Sequence, residues 1–126
     1  MSSAISLRHV VKNYLRGREK VEVLHGLNLE IDEGDFVALM GPSGSGKTTI
    51  LNLVGGLDRA TSGEVIVAGD HLEQMPGSQL TKWRGRHIGF IFQFYNLMPM
   101  LSAASNIELP LLLTHLSKSE RRRRVA

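Results

Sequence analysis

The hydrophobic pattern predicts two strands near the start of the chain. Residues 5–14 are rich in apolar side chains and begin with alternation, and residues 21–31 alternate over much of their length. The polar segment 15–20 between them predicts a turn, and hence an antiparallel hairpin. A second turn at 32–35 leads into the apolar run 36–40, which predicts a short buried strand.

The rest of the chain mixes strands and helices. A helix over 48–54 ends near Gly55 and Gly56, and Ser102 caps another helix that runs from Ala103 to Leu109, where Pro110 interrupts it. The other predicted elements are a turn at 61–63, a strand at 64–68, a helix at 76–86, a buried strand at 88–92 and a loop at 96–101. This order predicts an α/β fold with a partly parallel sheet and an antiparallel portion.

Composition excludes several classes of protein. The chain has 126 residues, 42% hydrophobic and 21% charged, which suits one modest globular domain. It has no cysteine, and this excludes disulfides and thiolate metal sites. No apolar run is long enough to span a bilayer, and the first residues lack the features of a signal peptide. The five histidines, His9, His25, His71, His87 and His115, lack metal-ligand spacing.

The net charge of +3 is concentrated near the end of the chain. Residues 121–124 are four consecutive arginines, which could form a nucleic-acid-binding arm or the solvated face of a helix. Ser117 and Glu120 have the spacing of a capping box, and no aromatic residues interleave with the arginines. The sequence therefore favours the helix, and no nucleic-acid partner is expected.

The run between the strand at 36–40 and the helix at 48–54 matches the phosphate-binding pattern G-x-x-x-x-G-K-[ST]. Its residues are Gly41, Pro42, Ser43, Gly44, Ser45, Gly46, Lys47 and Thr48, followed by Thr49. The glycines permit backbone angles that other residues avoid, and leave room for phosphate oxygens. Lys47 can reach terminal phosphates, and the Thr48 hydroxyl is a hard oxygen ligand suited to Mg²⁺. These residues predict a site for a nucleotide's phosphates.

Several further stretches together resemble the ATP-binding subunit of ABC transporters over essentially the whole chain. They are Val11-Lys12-Asn13-Tyr14, the lead-in from Leu24 to Phe36, the loop from Gly41 to Thr49, and Ile88-Gly89-Phe90-Ile91-Phe92-Gln93. The stretches Leu53 to Arg59, Phe92 to Pro99 and Asn106 to Leu111 are similar to the lipoprotein-release and macrolide-export branch. The implied fold is a phosphate-loop NTPase core with an antiparallel β-subdomain and the start of a helical subdomain.

The resemblance also implies roles for individual residues. Tyr14 would stack on adenine, although a strand-end aromatic can simply pack on the core. Amides from Gly44 to Thr49, with Lys47, would hold the phosphates of ATP, and Thr48 and Gln93 would contact Mg²⁺. Gln93 would also orient the attacking water, because its amide both donates and accepts hydrogen bonds.

Partners follow from the same resemblance. The apolar loop from Phe94 to Leu101 would face a transmembrane permease subunit, although Phe94, Leu97 and Met98 could instead pack inward. Complete members of the family form homodimers, and the location implied is cytoplasmic, peripheral on the inner face of the plasma membrane.

Asp70 follows an apolar strand as a metal-binding carboxylate does, but Gly69 before it favours a hairpin.

The family's signature sequence, catalytic glutamate and switch histidine do not occur in these residues. The resemblance therefore implies a truncated, partial domain over 1–126, which binds ATP and turns it over poorly or not at all. Its predicted parts are an antiparallel region (1–35), the strand–loop–helix unit (36–56), a mixed region ending at the glutamine loop (57–93) and the start of the helical subdomain (94–126).

Other functions are compatible with a phosphate loop. A GTPase would need an N-K-x-D segment, which is absent, and a small kinase would need an arginine-bearing lid, which the run at 121–124 matches poorly. A non-catalytic nucleotide-binding regulator and a DNA-associated ABC ATPase remain open. The transporter-like stretches around Gln93 favour the transporter subunit over both.

Overall fold

The computed structural model describes residues 2–42, 44–92 and 96–126. The chain divides into two compact units, Met1–Phe90 and Ile91–Ala126. Within the described residues, the first unit contains the strands β1 (Ser3–Arg16), β2 (Glu19–Asp32), β3 (Ser62–Val67) and β4 (Asp70–His71), and the helices α1 (Lys47–Val54) and α2 (Gly77–His87). The second contains α3 (Ala103–Glu108), a 3-10 helix (Leu109–Leu113) and α4 (Lys118–Val125).

The strands form one antiparallel sheet in the order β2-β1-β3-β4. The predicted hairpin at the start of the chain is present, and its strands are longer than predicted. The pairs Leu15 with Lys20 and Arg16 with Glu19 continue the ladder into the segment 15–20, so that only Gly17 and Arg18 form the turn. Polar residues can extend a hairpin because one face of an antiparallel pair can be exposed to solvent.

A bulge near His9 bends β1. His9 has a positive φ of 49°, its backbone N–H donates to the Asn28 side chain at 3.0 Å, and the β1–β3 register shifts between Arg8 and Val11. Gly63 lies opposite, where an added Cβ would come 2.4 Å from the His9 carbonyl oxygen. The bulge therefore requires glycine at this position of β3.

The core lies on the face of the sheet that α1 and α2 cover. Its buried residues come from the strands, the helices and the short 3-10 helix Leu72–Gln74, and they are Leu7, Val10, Leu24, Leu53, Val65, Val67, Leu72, Leu80 and Trp83. Leu80 and Trp83 are three positions apart and thus share one face of α2. The Trp83 indole donates to Asp70 at 2.9 Å, which fixes α2 against the β3–β4 hairpin. Asp70 belongs to a hairpin, as the sequence favoured.

Glu73 completes the outer edge of β3. One carboxylate oxygen accepts from the Val65 backbone N–H at 3.0 Å and the other contacts His71 Nδ1 at 2.8 Å. Burial alone would raise the pKa of Glu73, but the contact with His71 and the backbone donors of Glu73 and Val65 together lower it. Glu73 thus satisfies a strand N–H group that the two-residue strand β4 does not reach.

Two predictions of buried strands, at residues 36–40 and 88–92, are wrong. Residues 36–40 and 88–92 are neither helix nor strand, and the side chains of Phe36 and Ile91 are fully exposed. A strand forms only where its backbone groups meet a neighbouring strand, and the sheet of the described residues ends at β2 and β4. The predicted parallel portion is therefore not formed among the described residues.

The second unit follows the predicted capping signals. Ser102 accepts from the Ser105 N–H at the start of α3, and Ser117 and Glu120 form the capping box of α4. The first arginine of the 121–124 run, Arg121, donates to Glu108 at 3.1 Å, while residues 122–124 are exposed. Among the described residues, no helix has the length and apolar character needed to cross a membrane.

Candidate functional site

The predicted phosphate loop forms a tight bend at the start of α1. Gly44 and Gly46 have φ angles of 81° and 96°, in the left-handed region that favours glycine. The Ser45 N–H donates to the Pro42 carbonyl at 3.2 Å and closes the bend. An added Cβ on Gly46 would lie 3.2 Å from the Leu24 side chain, so the loop packs directly on β2. Ser43 lies outside the described residues.

The N-terminus of α1 is open to an anion. Its N-cap residue is Gly46, which has no side chain to accept from the first N–H groups, and the first turn has no acidic residue. The Ile50 N–H donates to the Gly46 carbonyl at 3.0 Å, and the N–H groups before it have no acceptor within the helix. Unpaired donors and the helix dipole together attract negative charge.

Lys47 lies across the loop. Its ammonium group donates to the Gly41 carbonyl and contacts the Pro42 carbonyl at 3.4 Å. Both acceptors are neutral backbone oxygens, so a phosphate placed against the bend could replace them with charged acceptors without a large movement of the side chain. Lys47 therefore points toward the bend, as a phosphate-binding lysine must.

The hydroxyl groups that follow Lys47 differ in access. Thr48 is exposed on the first turn of α1 and Thr49 is partly buried. A hard hydroxyl oxygen beside bound phosphates suits Mg²⁺, which takes few ligands from the protein and completes its shell with water. No cluster of three or more His, Cys, Asp or Glu side chains among the described residues could bind a metal ion by itself. Gln93, the other predicted Mg²⁺ contact, lies outside the described residues.

The register of the hairpin brings Tyr14 toward the loop. Leu24, which lies beside Gly46, pairs with Lys12 of β1. Tyr14 lies two residues after Lys12 on the same strand, roughly 7 Å away from it. The side chain of Tyr14 is 37% exposed, and its hydroxyl donates to Asp58 at 3.0 Å. The ring is therefore held by an acidic residue while part of its surface remains accessible.

The sequence analysis missed the polar group around Asp58. Lys12 donates to Asp58 at 3.1 Å and its ammonium lies 4.9 Å from the centre of the Tyr14 ring. Burial would raise the pKa of Asp58, but the N–H of Arg59, the Lys12 ammonium and the Tyr14 hydroxyl together lower it. The lysine at 12 and the aspartate at 58 are 46 positions apart, and no local pattern links them.

Comparison with known proteins agrees with this geometry. The model of the ABC transporter family matches residues 24–126, which include the loop, α1 and the core helices. The chain belongs to the ABC transporter family. The resemblance predicted from the sequence is thereby confirmed.

Individual relatives agree as well. The chain is 46% identical over 108 residues to a lipoprotein-releasing system ATP-binding protein, LolD, of Anaeromyxobacter dehalogenans, covering 86% of this chain and 45% of LolD. It is 44% identical over 122 residues to the macrolide export ATP-binding/permease protein MacB of Sodalis glossinidius, covering 97% of this chain and 19% of MacB.

A solved structure supports the fold. The ATP-binding cassette MJ0796 of Methanocaldococcus jannaschii, in a dimeric post-hydrolysis state bound to ADP and Pi, superimposes with a TM-score of 0.85 at 45% identity. The match covers 96% of this chain and 53% of the cassette. The predicted α/β cassette fold is thus confirmed for its N-terminal part. The chain spans about half the length of the ATP-binding relatives that it matches.

Proposed function

We propose that this ABC family chain binds ATP–Mg²⁺ and forms part of the ATP-hydrolysing subunit of a transporter in the lipoprotein-release and macrolide-export branch. The observation that carries the proposal is the bend over Gly41–Lys47, with left-handed glycines, an uncapped helix N-terminus and an ammonium group directed at it. The relationship to LolD, MacB and the ADP-bound cassette supports ATP as the nucleotide.

The proposal assigns a task to each part of the site. Amides of the loop and the first turn of α1 bind the β- and γ-phosphates, and Lys47 neutralises their charge. Thr48 and Gln93 hold Mg²⁺, which when bound would balance the charge of the phosphate oxygens. Tyr14 stacks on the base through its accessible surface. Gln93 also orients the attacking water.

The partners are proposed from the same relationship. Leu97, Met98 and Met100 are at least half exposed, so these side chains are available for contact with a membrane permease subunit. Hydrolysis would require a homodimer of complete subunits on the cytoplasmic face of the membrane. These 126 residues should bind ATP weakly and hydrolyse it poorly or not at all.

The test measures ATP affinity by calorimetry in the presence of Mg²⁺. Lys47→Ala should weaken binding by roughly tenfold or more, because it removes a charge-assisted contact. The matched control is Lys82→Ala, since Lys82 is an exposed lysine of α2 remote in sequence from the loop. Unchanged affinity in Lys47→Ala would refute the nucleotide site, and phosphate release by the wild-type chain at rates like those of full-length relatives would refute its low activity.

A further inference from the structure

We infer that Asp58 is a positioning residue, which holds the Tyr14 ring in a fixed pose for a nucleobase and links that pose to the phosphate-loop helix. The inference rests on the proposed function, because it assigns to Tyr14 the base of the bound nucleotide. It adds a residue outside the phosphate loop and the glutamine loop. It also predicts that changing this residue weakens the binding of ATP but not the binding of a ligand that has phosphates and no base.

The contacts of Asp58 leave its carboxylate little freedom. Oδ2 accepts from the Tyr14 hydroxyl at 3.0 Å, while Oδ1 accepts from the Lys12 ammonium at 3.1 Å and from the Arg59 N–H at 2.8 Å. Both oxygens are therefore in use: Tyr14 and Lys12 of β1 donate to one each, and the neighbouring Arg59 N–H adds a third bond. A carboxylate only accepts, so the Tyr14 hydroxyl must donate, and this sets the direction of the O–H bond.

Lys12 restricts the ring further. Its side chain is only 11% exposed, and its ammonium donates to the Arg59 carbonyl at 2.6 Å as well as to Asp58. The same ammonium lies 4.9 Å from the centre of the Tyr14 ring, at cation–π distance. One face of the ring is thus occupied by a fixed cation, and the exposed part of the ring is left for a planar ligand.

Asp58 is in turn anchored to α1. The N–H groups of Leu57 and Asp58 both donate to the Asn52 carbonyl in that helix, at 2.9 and 3.2 Å. The phosphate loop begins this helix and Asp58 follows its end, so one side chain joins the aromatic ring to the element that binds the phosphates. Asp58 therefore fixes the separation between the two ends of a bound nucleotide.

Ionisation of Asp58 maintains the cluster. Its pKa lies below the ordinary aspartate value because the donors of Arg59, Lys12 and Tyr14 outweigh burial, which alone would raise it. At neutral pH the carboxylate is therefore charged, and its hydrogen bond to the phenol is charge-assisted.

The experiment compares two ligands, ATP and inorganic tripolyphosphate, which has phosphates but no base. Tyr14→Phe and Asp58→Asn are measured by calorimetry, singly and together. In Asp58→Asn the amide oxygen must accept from Lys12 and the Arg59 N–H, so the amide nitrogen is placed next to the Tyr14 hydroxyl. An amide nitrogen cannot accept a hydrogen bond, so the charge-assisted bond from the phenol is lost. Each single variant should bind ATP about fivefold more weakly, with tripolyphosphate affinity within about twofold of wild type.

The double variant tests whether Asp58 acts through the hydroxyl. If it does, Tyr14→Phe with Asp58→Asn should bind ATP no more weakly than the weaker single variant. The matched control is Glu64→Gln, which removes the carboxylate charge from a surface pair with Arg8 and should leave both affinities unchanged. If Asp58→Asn fails to fold, Tyr14→Phe decides alone, because it removes one oxygen from a partly exposed ring.

Three results would overturn the inference. Equal weakening of ATP and tripolyphosphate would show that Asp58 only supports the fold, and additive losses in the double variant would show that it does not act through Tyr14. Unchanged ATP affinity in Tyr14→Phe would show that the Tyr14 hydroxyl does not contribute to ATP binding. Any of these three results would leave the proposed phosphate site at Lys47 unaffected. A wild-type chain that does not bind ATP would refute the proposed function and this inference together.

Discussion

Replacing Gly63 by alanine should be among the most destabilising glycine substitutions in the chain. Gly63 has a φ of 92°, and a Cβ there would meet three backbone atoms, the carbonyl oxygens of His9 and Arg8 at 2.4 and 2.7 Å and the His9 carbonyl carbon at 2.7 Å. Backbone cannot move aside as a flexible side chain can. The bulge of β1 must therefore open, and the pairing of β1 with β3 on either side of it must change.

The magnitude follows from two contributions. A left-handed backbone costs an alanine about 1–2 kcal/mol. Ordinary contact begins near 3.4 Å, so the carbonyl of His9 must shift by about 1 Å, which is 3.4 minus 2.4 Å. Overpacking of this kind costs a further ~1–3 kcal/mol. Gly63→Ala should therefore lose about 2–5 kcal/mol of unfolding free energy.

Gly69→Ala is the matched control. Gly69 flanks the same strand at its other end, has a φ of 83°, and has nothing within 4 Å of an added Cβ. It shares the backbone strain and the change in the unfolded chain, so the difference between the two variants isolates the contact with β1. That difference should be about 2 kcal/mol.

Urea unfolding followed by tryptophan fluorescence measures it. Trp83 is the only tryptophan in the sequence, and it is 6% exposed in the core between α2 and the sheet. A Gly63→Ala variant that is unfolded without urea agrees with the expectation. Stabilities of Gly63→Ala and Gly69→Ala within about 0.5 kcal/mol of each other would refute the role assigned to the bulge.

Two further predictions concern polar side chains. Asn106→Ala should loosen the segment 98–102, because the Asn106 amide bonds to its backbone at four points between 2.8 and 3.3 Å, and protease cleavage there should become faster by roughly an order of magnitude. Glu73 should make stability depend on pH: its folded pKa is lowered, so its contribution is present above about pH 4.5 and is lost as the pH falls through the lowered value. Glu73→Gln should flatten this acid slope in urea unfolding at successive pH values.

Each has an outcome that would contradict it. Ser105→Ala is the control for Asn106, since Ser105 lies on the same short helix and, among the described residues, its side chain contacts Ser102 rather than the segment 98–101. Equal cleavage rates in the two variants would refute the role of Asn106. An acid slope in Glu73→Gln as steep as in wild type would assign the pH dependence to other carboxylates.

Signals that depend on neighbours in the sequence predicted the local structure well. The capping box at Ser117 and the cap at Ser102 formed where expected, and so did the helix that follows the glycine loop. Each depends on residues within a few positions of one another, so the sequence contains all the groups that make the contact. The family resemblance added the fold, which periodicity alone leaves ambiguous.

Features that depend on distant residues could not be predicted in this way. Residues 36–40 have the composition of a buried strand, yet strand formation depends on a neighbour to pair with. The bond from Tyr14 to Asp58 spans 44 positions, and the bulge at His9 shifts the register of β1 against both β2 and β3. These contacts arise from the packing of the chain on itself, and they determine how Tyr14 is held.

The two-residue turn of the β1–β2 hairpin offers a permissive place for a spectroscopic label. Arg18 there is exposed and lacks the positive φ of Gly17, 66°, at which a side chain would be strained, and it follows Tyr14 closely at the end of a continuous ladder. The hydrogen-bonded ribbon between them would hold an attached fluorophore at a constant distance from Tyr14 and from the proposed nucleotide site. Binding at that site could then be followed optically without altering any residue assigned to it.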